Sequence, residues 1–338
     1  MHVINALDIN DAYLKGHDLI KSFGALTSTR AGDAYVVPSP VTTIYHNPCY
    51  RVLYDPVRDA NPFFHFFEAL WVLAGRQDVA TLAFFNARMV DYSDDGEVFH
   101  APYGYRIRNH FAEDQLLMAI ENLNGNQSSR QVVLQIWDTD LDLAGSSKDI
   151  PCNDMVKLRV VNGLLDIVVF CRSNDMIWGA YGANIVQFST LQEFIAGALG
   201  VPVGRYYQVS CDFHAYVDTL NKCPKPSPFD AYKVLPKPYP MFNGWTVGGH
   251  IGFLRGVENF MGVVRSFATD FEDPTGDSFG PVPDYITDVA TPMLNAWIAF
   301  KNKDNPDRHS AAIKEMMQCH AEDWRTAGIA WLARRGPK

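Results

Sequence analysis

The chain has 338 residues and a formal net charge of −9, with 47% hydrophobic and 13% aromatic residues. This composition excludes an intrinsically disordered chain and argues against a broadly basic nucleic-acid surface. We find no signal peptide, no apolar run of about 18 residues, and no CxxC pair among the six cysteines. We therefore expect a cytoplasmic protein with free thiols that neither crosses a membrane nor binds nucleic acid directly.

One helix is clear in the first hundred residues. Asn61 can cap it, Pro62 suits its first position, and Gly75 can end it. The run between them is apolar nearly all round, which predicts a buried helix. The other elements expected here are a helix near 10–23, strands at 35–37 and 42–45, and a helix near 79–90 before a polar loop at 93–96.

The middle of the chain has the alternating pattern of an antiparallel sheet. The expected strands are 131–137, 155–161, 164–170 and 205–211. Asn162-Gly163 is a strong signal for a two-residue hairpin turn. An apolar stripe from Ile185 to Leu199 predicts a helix that ends at Gly200.

The last third reads as a proline-rich loop followed by helices. The loop is expected at 224–240 and the helices at 248–267, 284–302 and 308–334. The predicted fold class is α+β, with a large mixed β-sheet packed against helices and a mostly helical C-terminal region. We expect a single domain, 1–338, with a core of about 25–220 and a divergent helical region of about 240–338.

Cys152 follows a proline at the start of a predicted strand. A lone cysteine is more often a buried structural thiol, but this one belongs to an ordered set of motifs. In chain order they are Glu68-Ala69-Leu70-Trp71, Pro102-Tyr103-Gly104, Ser129-Arg130, Pro151-Cys152, Arg172-Ser173-Asn174-Asp175, Gly179 to Asn184, and Asp212-Phe213-His214-Ala215-Tyr216. The set resembles the thymidylate synthase family over roughly residues 25–220, and therefore implies a thymidylate synthase-like fold.

The resemblance implies covalent catalysis on a pyrimidine nucleoside monophosphate. The Cys152 thiolate would add to C6, so that C5 attacks the one-carbon unit of 5,10-methylenetetrahydrofolate. Such a thiol needs a lowered pKa, and Arg172 is the candidate group that lowers it. Three other catalytic residues are implied. Burial of Glu68 would raise its pKa and suit it to proton transfer, and Tyr103 would help remove the C5 proton. Asp175 resembles the aspartate that contacts the surroundings of both the pterin and the pyrimidine.

Arginines are implied as the phosphate site. By resemblance, Arg172, Ser173 and Arg30 come from one subunit and Arg130 reaches across from the partner of a homodimer. The family has a second arginine after Arg130, where this chain has Gln131, so the site has one charge fewer.

Sugar and base are implied to contact three further residues. His214 and Tyr216 lie at i and i+2, on one side of a strand, and resemble the pair that binds the 3′-hydroxyl. Asn184 resembles the base-reading asparagine, whose amide suits N3–H and O4 of uracil. However, the family spaces it four residues after the glycine, whereas Gly179 to Asn184 is five. A helix N-cap therefore remains an alternative role, and cytosine an alternative base.

The chain departs from the family at three places that shield the reacting carbon. Met89 and Tyr92 replace two tryptophans expected before Tyr103, Asn153 replaces the usual histidine after the nucleophile, and residues 334–338 are not a hydrophobic tail. Without shielding, water can add in place of hydride. This favours dUMP conversion to 5-hydroxymethyl-dUMP, as in the phage-type hydroxymethylase branch, which would act in a host cytoplasm.

Three alternatives stay open from the sequence. They are a thymidylate synthase with a divergent tail, a dCMP or CMP hydroxymethylase, and a catalytically silent relative that binds nucleotide or RNA. No metal is implied by any of the motifs.

Overall fold

The structure, a computed structural model, describes residues 1–226, 236–242, 249–269 and 282–336. The strands are β1 His2–Ala6, β2 Ala25–Thr29, β3 Gly32–Val37, β4 Val41–Tyr45, β5 Val133–Gln135, β6 Asn153–Val161, β7 Leu164–Cys171, β8 Asn174–Asp175, β9 Val203–Ser210 and β10 Phe213–Tyr216. The α-helices are α1 Ile9–Phe23, α2 Pro62–Leu73, α3 Val79–Phe85, α4 Tyr103–Tyr105, α5 Gln115–Gly125, α6 Thr139–Asp142, α7 Ile185–Leu199, α8 Val217–Lys222, α9 His250–Thr269, α10 Thr291–Lys301, α11 Arg308–Met316 and α12 Glu322–Ala333. A 3-10 helix spans Ala87–Tyr92, and π-helices span Arg106–His110, Met176–Asn184 and Ile286–Ala290.

The larger sheet has six strands in the order β1-β4-β9-β7-β6-β5. The hairpin between β6 and β7 turns at Asn162 and Gly163, both at positive φ, as the sequence predicts. The purely antiparallel prediction for the middle of the chain is wrong at β9, which pairs parallel with β7. A parallel pair needs a long crossover connection, and α7 provides it. The sheet is therefore mixed, as the predicted fold class states.

A second sheet, which sequence analysis did not separate from the first, has the order β2-β3-β10-β8. Its strands β8 and β10 are parallel, and their register sets Asp175 beside His214. Strand β3 lies on the other side of β10. This small sheet therefore holds three of the predicted site residues on two neighbouring strands.

Helix α2 is buried along its whole length. The Asn61 side chain accepts hydrogen bonds from the backbone N–H groups of Phe63 and Phe64, and Gly75 has a φ of +66°, as the predicted cap and stop require. The Phe63 ring lies 5.4 Å from that of Trp297 and 5.7 Å from that of Trp331. The C-terminal helices therefore cover one side of α2 and keep it from solvent.

Several predicted elements differ in extent. The helix near 79–90 breaks at Asn86, whose side chain caps the 3-10 helix that follows. The helix at 308–334 is two helices, α11 and α12, and the strand at 131–137 is only β5. Strands β1 and β2 and helix α5 were not predicted. Residues 227–235, 248 and 337–338 of the predicted segments lie outside the described residues, and the single-domain assignment stays a prediction.

Candidate active site

A cavity of about 230 Å³ lies beside α2 and the first turn of α7. Three predicted site residues line it, namely Glu68, Tyr103 and Asn184. Met89 and Tyr92, which replace the two expected tryptophans, line it as well. The structure thus brings together residues that are up to 116 positions apart in the sequence, from three different motifs.

Glu68 is a carboxyl group buried in this cavity wall. It is 7% exposed, and its Oε2 atom has no hydrogen-bond partner among the described residues. Burial raises the pKa of Glu68 to about 8, against a smaller lowering by the Gln187 side chain. The prediction of a raised pKa is therefore confirmed, and at neutral pH the group is a neutral acid that can donate a proton.

Cys152 lies at the start of β6, half-buried, beside Arg172. The Arg172 Nη2 atom is 4.0 Å from the sulfur, and the same guanidinium donates to the carbonyl groups of Pro151 and Ile150 at 2.8 and 3.1 Å. Cys152 is not among the described residues that line the cavity, but its charge raises the pKa of Tyr103, after the larger effect of burial. The thiol therefore lies close to the Tyr103 side of the cavity.

The predicted lowering of the Cys152 pKa is wrong for the chain alone. Burial raises the pKa of the thiol, and the positive charge of Arg172 offsets only part of this rise. Arg172 is exposed, and water screens its charge. Further positive charge, or proton transfer to a bound ligand, is needed to populate the thiolate.

Asn184 is part of a chain of buried amides. Its Oδ1 accepts from Asn153 Nδ2 at 3.3 Å, and its Nδ2 donates to Asn174 Oδ1 at 3.2 Å. Asn174 in turn donates to the Ser210 hydroxyl at 3.0 Å. Asn184 has helical backbone angles and makes no side-chain cap bond, so the alternative N-cap role is wrong.

The segment before Asn184 is an irregular helix. Residues Met176–Asn184 form a π-helix, in which each hydrogen-bonded turn holds one residue more than in an α-helix, and Tyr181 within it has non-helical backbone angles. Asn184 at its end lines the cavity. The mismatch in spacing therefore does not remove Asn184 from the cavity.

Asp175 precedes this π-helix and caps it. Its Oδ1 accepts from the backbone N–H groups of Ile177 and Trp178, while Oδ2 is buried with no partner among the described residues. Burial raises the pKa of Asp175. Asp175 therefore caps the π-helix through Oδ1.

His214 and Tyr216, the pair predicted to bind the sugar, both lie on β10. The His214 Nδ1 atom is 2.6 Å from Asp212 Oδ1, which orients the imidazole ring. The ring packs edge-on against Tyr216, with centroids 5.1 Å apart. Burial raises the pKa of Tyr216, and the charges of Asp175 and Cys152 add to the rise. Tyr216 therefore lies near Cys152.

The predicted phosphate ligands lie on separate segments of the chain. Arg30 is exposed in the turn between β2 and β3, and Arg172 and Ser173 follow β7. Arg130 is also exposed and lines a different cavity, of about 590 Å³, with Ser129 and Gln131. None of these four is among the described residues that line the cavity with Glu68.

Sequence reasoning missed three polar residues near the site. Asp149 and Gln187 line the cavity with Glu68, and the buried Arg58 donates to the carbonyl of Ile177 in the π-helix at 3.2 Å. Gln187 interrupts the apolar stripe of α7, which is a signal in the sequence. Asp149 lies three residues before Cys152 and belongs to no motif, so nothing in the sequence marks it as a site residue.

Comparisons with known proteins decide the family. The family model described as thymidylate synthase matches residues 63–227. The deoxyuridylate hydroxymethyltransferase of Pseudomonas phage M6 is 40% identical over 354 aligned positions, which cover 99% of this chain and 95% of that protein. The chain belongs to the thymidylate synthase family. This confirms the resemblance and the fold class predicted from the motifs.

Other family members match shorter parts of the chain. The deoxyuridylate hydroxymethyltransferase of Bacillus phage SP01 is 42% identical over 190 residues, 53% of this chain and 50% of that protein. A putative thymidylate synthase of Methanothermobacter marburgensis is 36% identical over 124 residues, 37% and 54% of the two chains. The match to the M6 protein thus extends to the C-terminal region that lies outside the family model.

The described residues hold neither a metal-binding cluster nor a membrane-spanning helix. No group of three or more histidine, cysteine, aspartate or glutamate side chains is arranged there to hold a metal ion. None of the helices in those ranges has the length and apolar character needed to span a bilayer.

Proposed function

We propose that the chain transfers a one-carbon unit from 5,10-methylenetetrahydrofolate to C5 of dUMP and releases 5-hydroxymethyl-dUMP. The observation that carries this proposal is the 40% identity to a deoxyuridylate hydroxymethyltransferase along nearly the full length of both chains. The substrate named by that relative agrees with the amide of Asn184 in the cavity, which can pair with N3–H and O4 of uracil.

The cavity residues fit a pyrimidine ring and the one-carbon end of a folate. Trp71, Val72 and Met89 offer apolar surface, and Glu68 and Asn184 offer polar groups in the same wall. The unpartnered Oε2 of Glu68 supports this fit, because a buried polar atom without a partner is costly unless a ligand satisfies it. When bound, the folate supplies the one-carbon unit, and the residues of the chain position and protonate the nucleotide.

Each catalytic residue has a proposed task. Cys152 bonds to C6 of the ring, and Arg172 stabilises its thiolate. Glu68, protonated at neutral pH, donates to the pyrimidine, and Tyr103, which keeps its own proton, assists the removal of the C5 proton through a hydrogen bond. Asp175 uses its free Oδ2 atom to contact the pyrimidine and pterin surroundings. These roles rest on the family motifs and on the burial and contacts described above.

Nucleotide binding is proposed to need two subunits. His214 and Tyr216 bind the sugar 3′-hydroxyl, and Arg172 and Ser173 bind the phosphate with Arg30. The exposed Arg130 is proposed to complete this site across a homodimer interface, since it lines a separate cavity in its own chain. The proposed setting is a reducing cytoplasm, that of a bacterial host where the relatives are phage proteins.

Product analysis tests the proposal. The protein is incubated with 5,10-methylenetetrahydrofolate and either dUMP or dCMP, and the products are identified by mass. We expect 5-hydroxymethyl-dUMP and tetrahydrofolate from dUMP, with little reaction of dCMP. Formation of dTMP and dihydrofolate would contradict water addition, and preferential hydroxymethylation of dCMP would contradict the choice of base.

A further inference from the structure

Asp149 is a carboxylate of the cavity wall that belongs to none of the family motifs. It lines the same cavity as Glu68 and Tyr103 and lies three residues before Cys152. Its charge contributes to the raised pKa values of both Tyr103 and Cys152. The carboxylate is therefore close to the nucleophile as well as to the cavity.

The position of Asp149 is fixed by hydrogen bonds on both sides. Its Oδ2 accepts from the backbone N–H of Ala101 at 3.0 Å, and its own N–H donates to the Ser147 hydroxyl at 3.1 Å. Ala101 precedes Tyr103 by two residues, so this bond ties the carboxylate to the loop that carries the tyrosine. A group held in this way needs little reorganisation before it acts on a bound molecule.

The two carboxyl groups of the cavity differ in protonation. Burial raises the pKa of Asp149 to about 6. The rise is not larger because the hydrogen bond from Ala101 and the charges of His100 and Arg106 offset part of the effect of burial. The pKa of Glu68 rises to about 8. At neutral pH Asp149 is therefore mainly ionised while Glu68 keeps its proton. A pair of carboxyl groups separated in this way commonly divides the base and acid roles.

We propose that Asp149 is the general base that activates water for addition to the one-carbon unit on C5, an inference that rests on the proposed function. The water oxygen bonds to the exocyclic methylene carbon while one of its protons passes to the Asp149 carboxylate. The electron pair of the C5–methylene double bond moves to C5 and onto O4 as an enolate. The C5–C6 double bond then re-forms and expels the Cys152 thiolate, which frees 5-hydroxymethyl-dUMP.

The neighbouring groups are unsuited to this step. Glu68 and Tyr103 have raised pKa values and hold their protons at neutral pH, and the Cys152 sulfur is bonded to C6 when water adds. Met89, which is smaller than the tryptophan expected at that position from the family, lines the same cavity as the carboxylate.

The test compares Asp149→Asn with the wild-type protein. The amide keeps the shape and an oxygen for the Ala101 hydrogen bond, but it accepts no proton. Two rates are measured in a single turnover with enzyme in excess over substrate: tritium release from C5-tritiated dUMP, which precedes water addition, and formation of 5-hydroxymethyl-dUMP. We expect tritium release within about threefold of wild type and a roughly 100-fold slower formation of the hydroxymethyl product. Added mercaptoethanol should trap the methylene as a thioether, because a thiolate needs no base.

Asp154→Asn is the matched control. Burial also raises the pKa of Asp154 to about 6 and its charge acts on Cys152, but Asp154 is not among the described residues that line the cavity. Both rates should stay within about threefold of wild type. Wild-type product formation by Asp149→Asn, or an equal loss of tritium release, would overturn the inference. Wild-type protein that yields dTMP would instead overturn the proposed function, before any variant is compared.

Discussion

The cavity proposed to bind the base and the arginines proposed to bind the phosphate differ in how far a single chain encloses them. Glu68, Tyr103 and Asn184 line one cavity, whereas Arg30, Arg130 and Arg172 are exposed, and Arg130 lines a different cavity. The packing of α2 and α7 fixes the buried groups. We propose that a ligand and a second subunit complete the arrangement of the exposed arginines.

The largest effect is expected for Cys152, the proposed nucleophile, which lies beside the cavity in the same chain. Cys152→Ser should lower turnover of dUMP more than about a thousand-fold, because a serine hydroxyl is a far weaker nucleophile than a thiolate. Tritium release from C5-tritiated dUMP gives the rate. Cys211→Ser, at an exposed thiol, is the control and should keep wild-type activity. A Cys152→Ser protein with the native rate would remove the basis for covalent catalysis.

Glu68→Gln should show the next largest effect on activity. The amide keeps the shape of the buried side chain but cannot transfer a proton, so we expect a loss of about 100- to 10,000-fold. Glu121→Gln, on the exposed face of α5, is the control and should leave the rate unchanged. A rate close to that of wild type would assign Glu68 a structural role only.

Glu68→Gln should also be more stable than wild type at alkaline pH. Because burial raises the pKa of Glu68 from 4.5 to about 8, the folded wild-type protein favours the protonated form and loses stability as the pH rises between these values. Each pKa unit corresponds to about 1.4 kcal/mol, so the difference can reach a few kcal/mol. Chemical denaturation between about pH 5 and pH 8.5 measures it. A difference independent of pH would contradict the raised pKa.

Mixed dimers test whether Arg130 acts across the interface. Arg130→Ala should weaken dUMP binding by about 10- to 100-fold through the lost phosphate contact. Mixing it with Cys152→Ser should restore about a quarter of wild-type activity, since half of the dimers then contain one intact site. Mixing Cys152→Ser with Glu68→Gln should restore none, because these residues are expected in one chain. Recovery of activity in the second mixture, or no recovery in the first, would contradict the assignment of Arg130 to the partner's site.

The smallest effect is expected at the C-terminal contact. Arg334 and Arg335, near the end of the described chain, form ion pairs with Asp59. All three side chains are about a third exposed. Burial alone would raise the pKa of Asp59, but the two arginines hold it below its usual value. Asp59→Asn should therefore cost up to about 1 kcal/mol at neutral pH, and the difference should disappear as the acid pH protonates the wild-type carboxylate.

Thermal unfolding at two pH values measures this contact. Asp18→Asn is the control, because it removes a more exposed ion pair with Lys225 and should cost less. An equal loss in both variants would show that the contact at Asp59 has no special weight. The result also indicates how firmly the C-terminal helices are held against the rest of the chain.

Local signals explain which parts of the fold the sequence predicts. Helix α2 has a cap, a proline at its first position and a glycine stop, and the β6–β7 hairpin has Asn162-Gly163, so both are correct. The parallel pairing of β7 with β9 and the separate small sheet depend on contacts between distant segments. Periodicity in one segment carries no information about such pairings.

The site shows the same division. Motifs predict the residues of the cavity wall, but the net pKa of Cys152 depends on how deeply the folded chain buries the thiol. The π-helix before Asn184 likewise depends on packing, and only the structure shows that the Asn184 side chain lines the cavity. Asp149 belongs to no motif and became a candidate only because the fold sets it beside Glu68.

The central claim is that the Cys152 sulfur forms a bond to the pyrimidine. A 5-fluorinated dUMP cannot lose its C5 substituent as a proton, so with 5,10-methylenetetrahydrofolate the reaction should stop at the covalent complex. Intact-protein mass spectrometry should then show the added mass of nucleotide and folate, and the peptide map should assign it to Cys152. No adduct, or an adduct on another cysteine, would contradict the account.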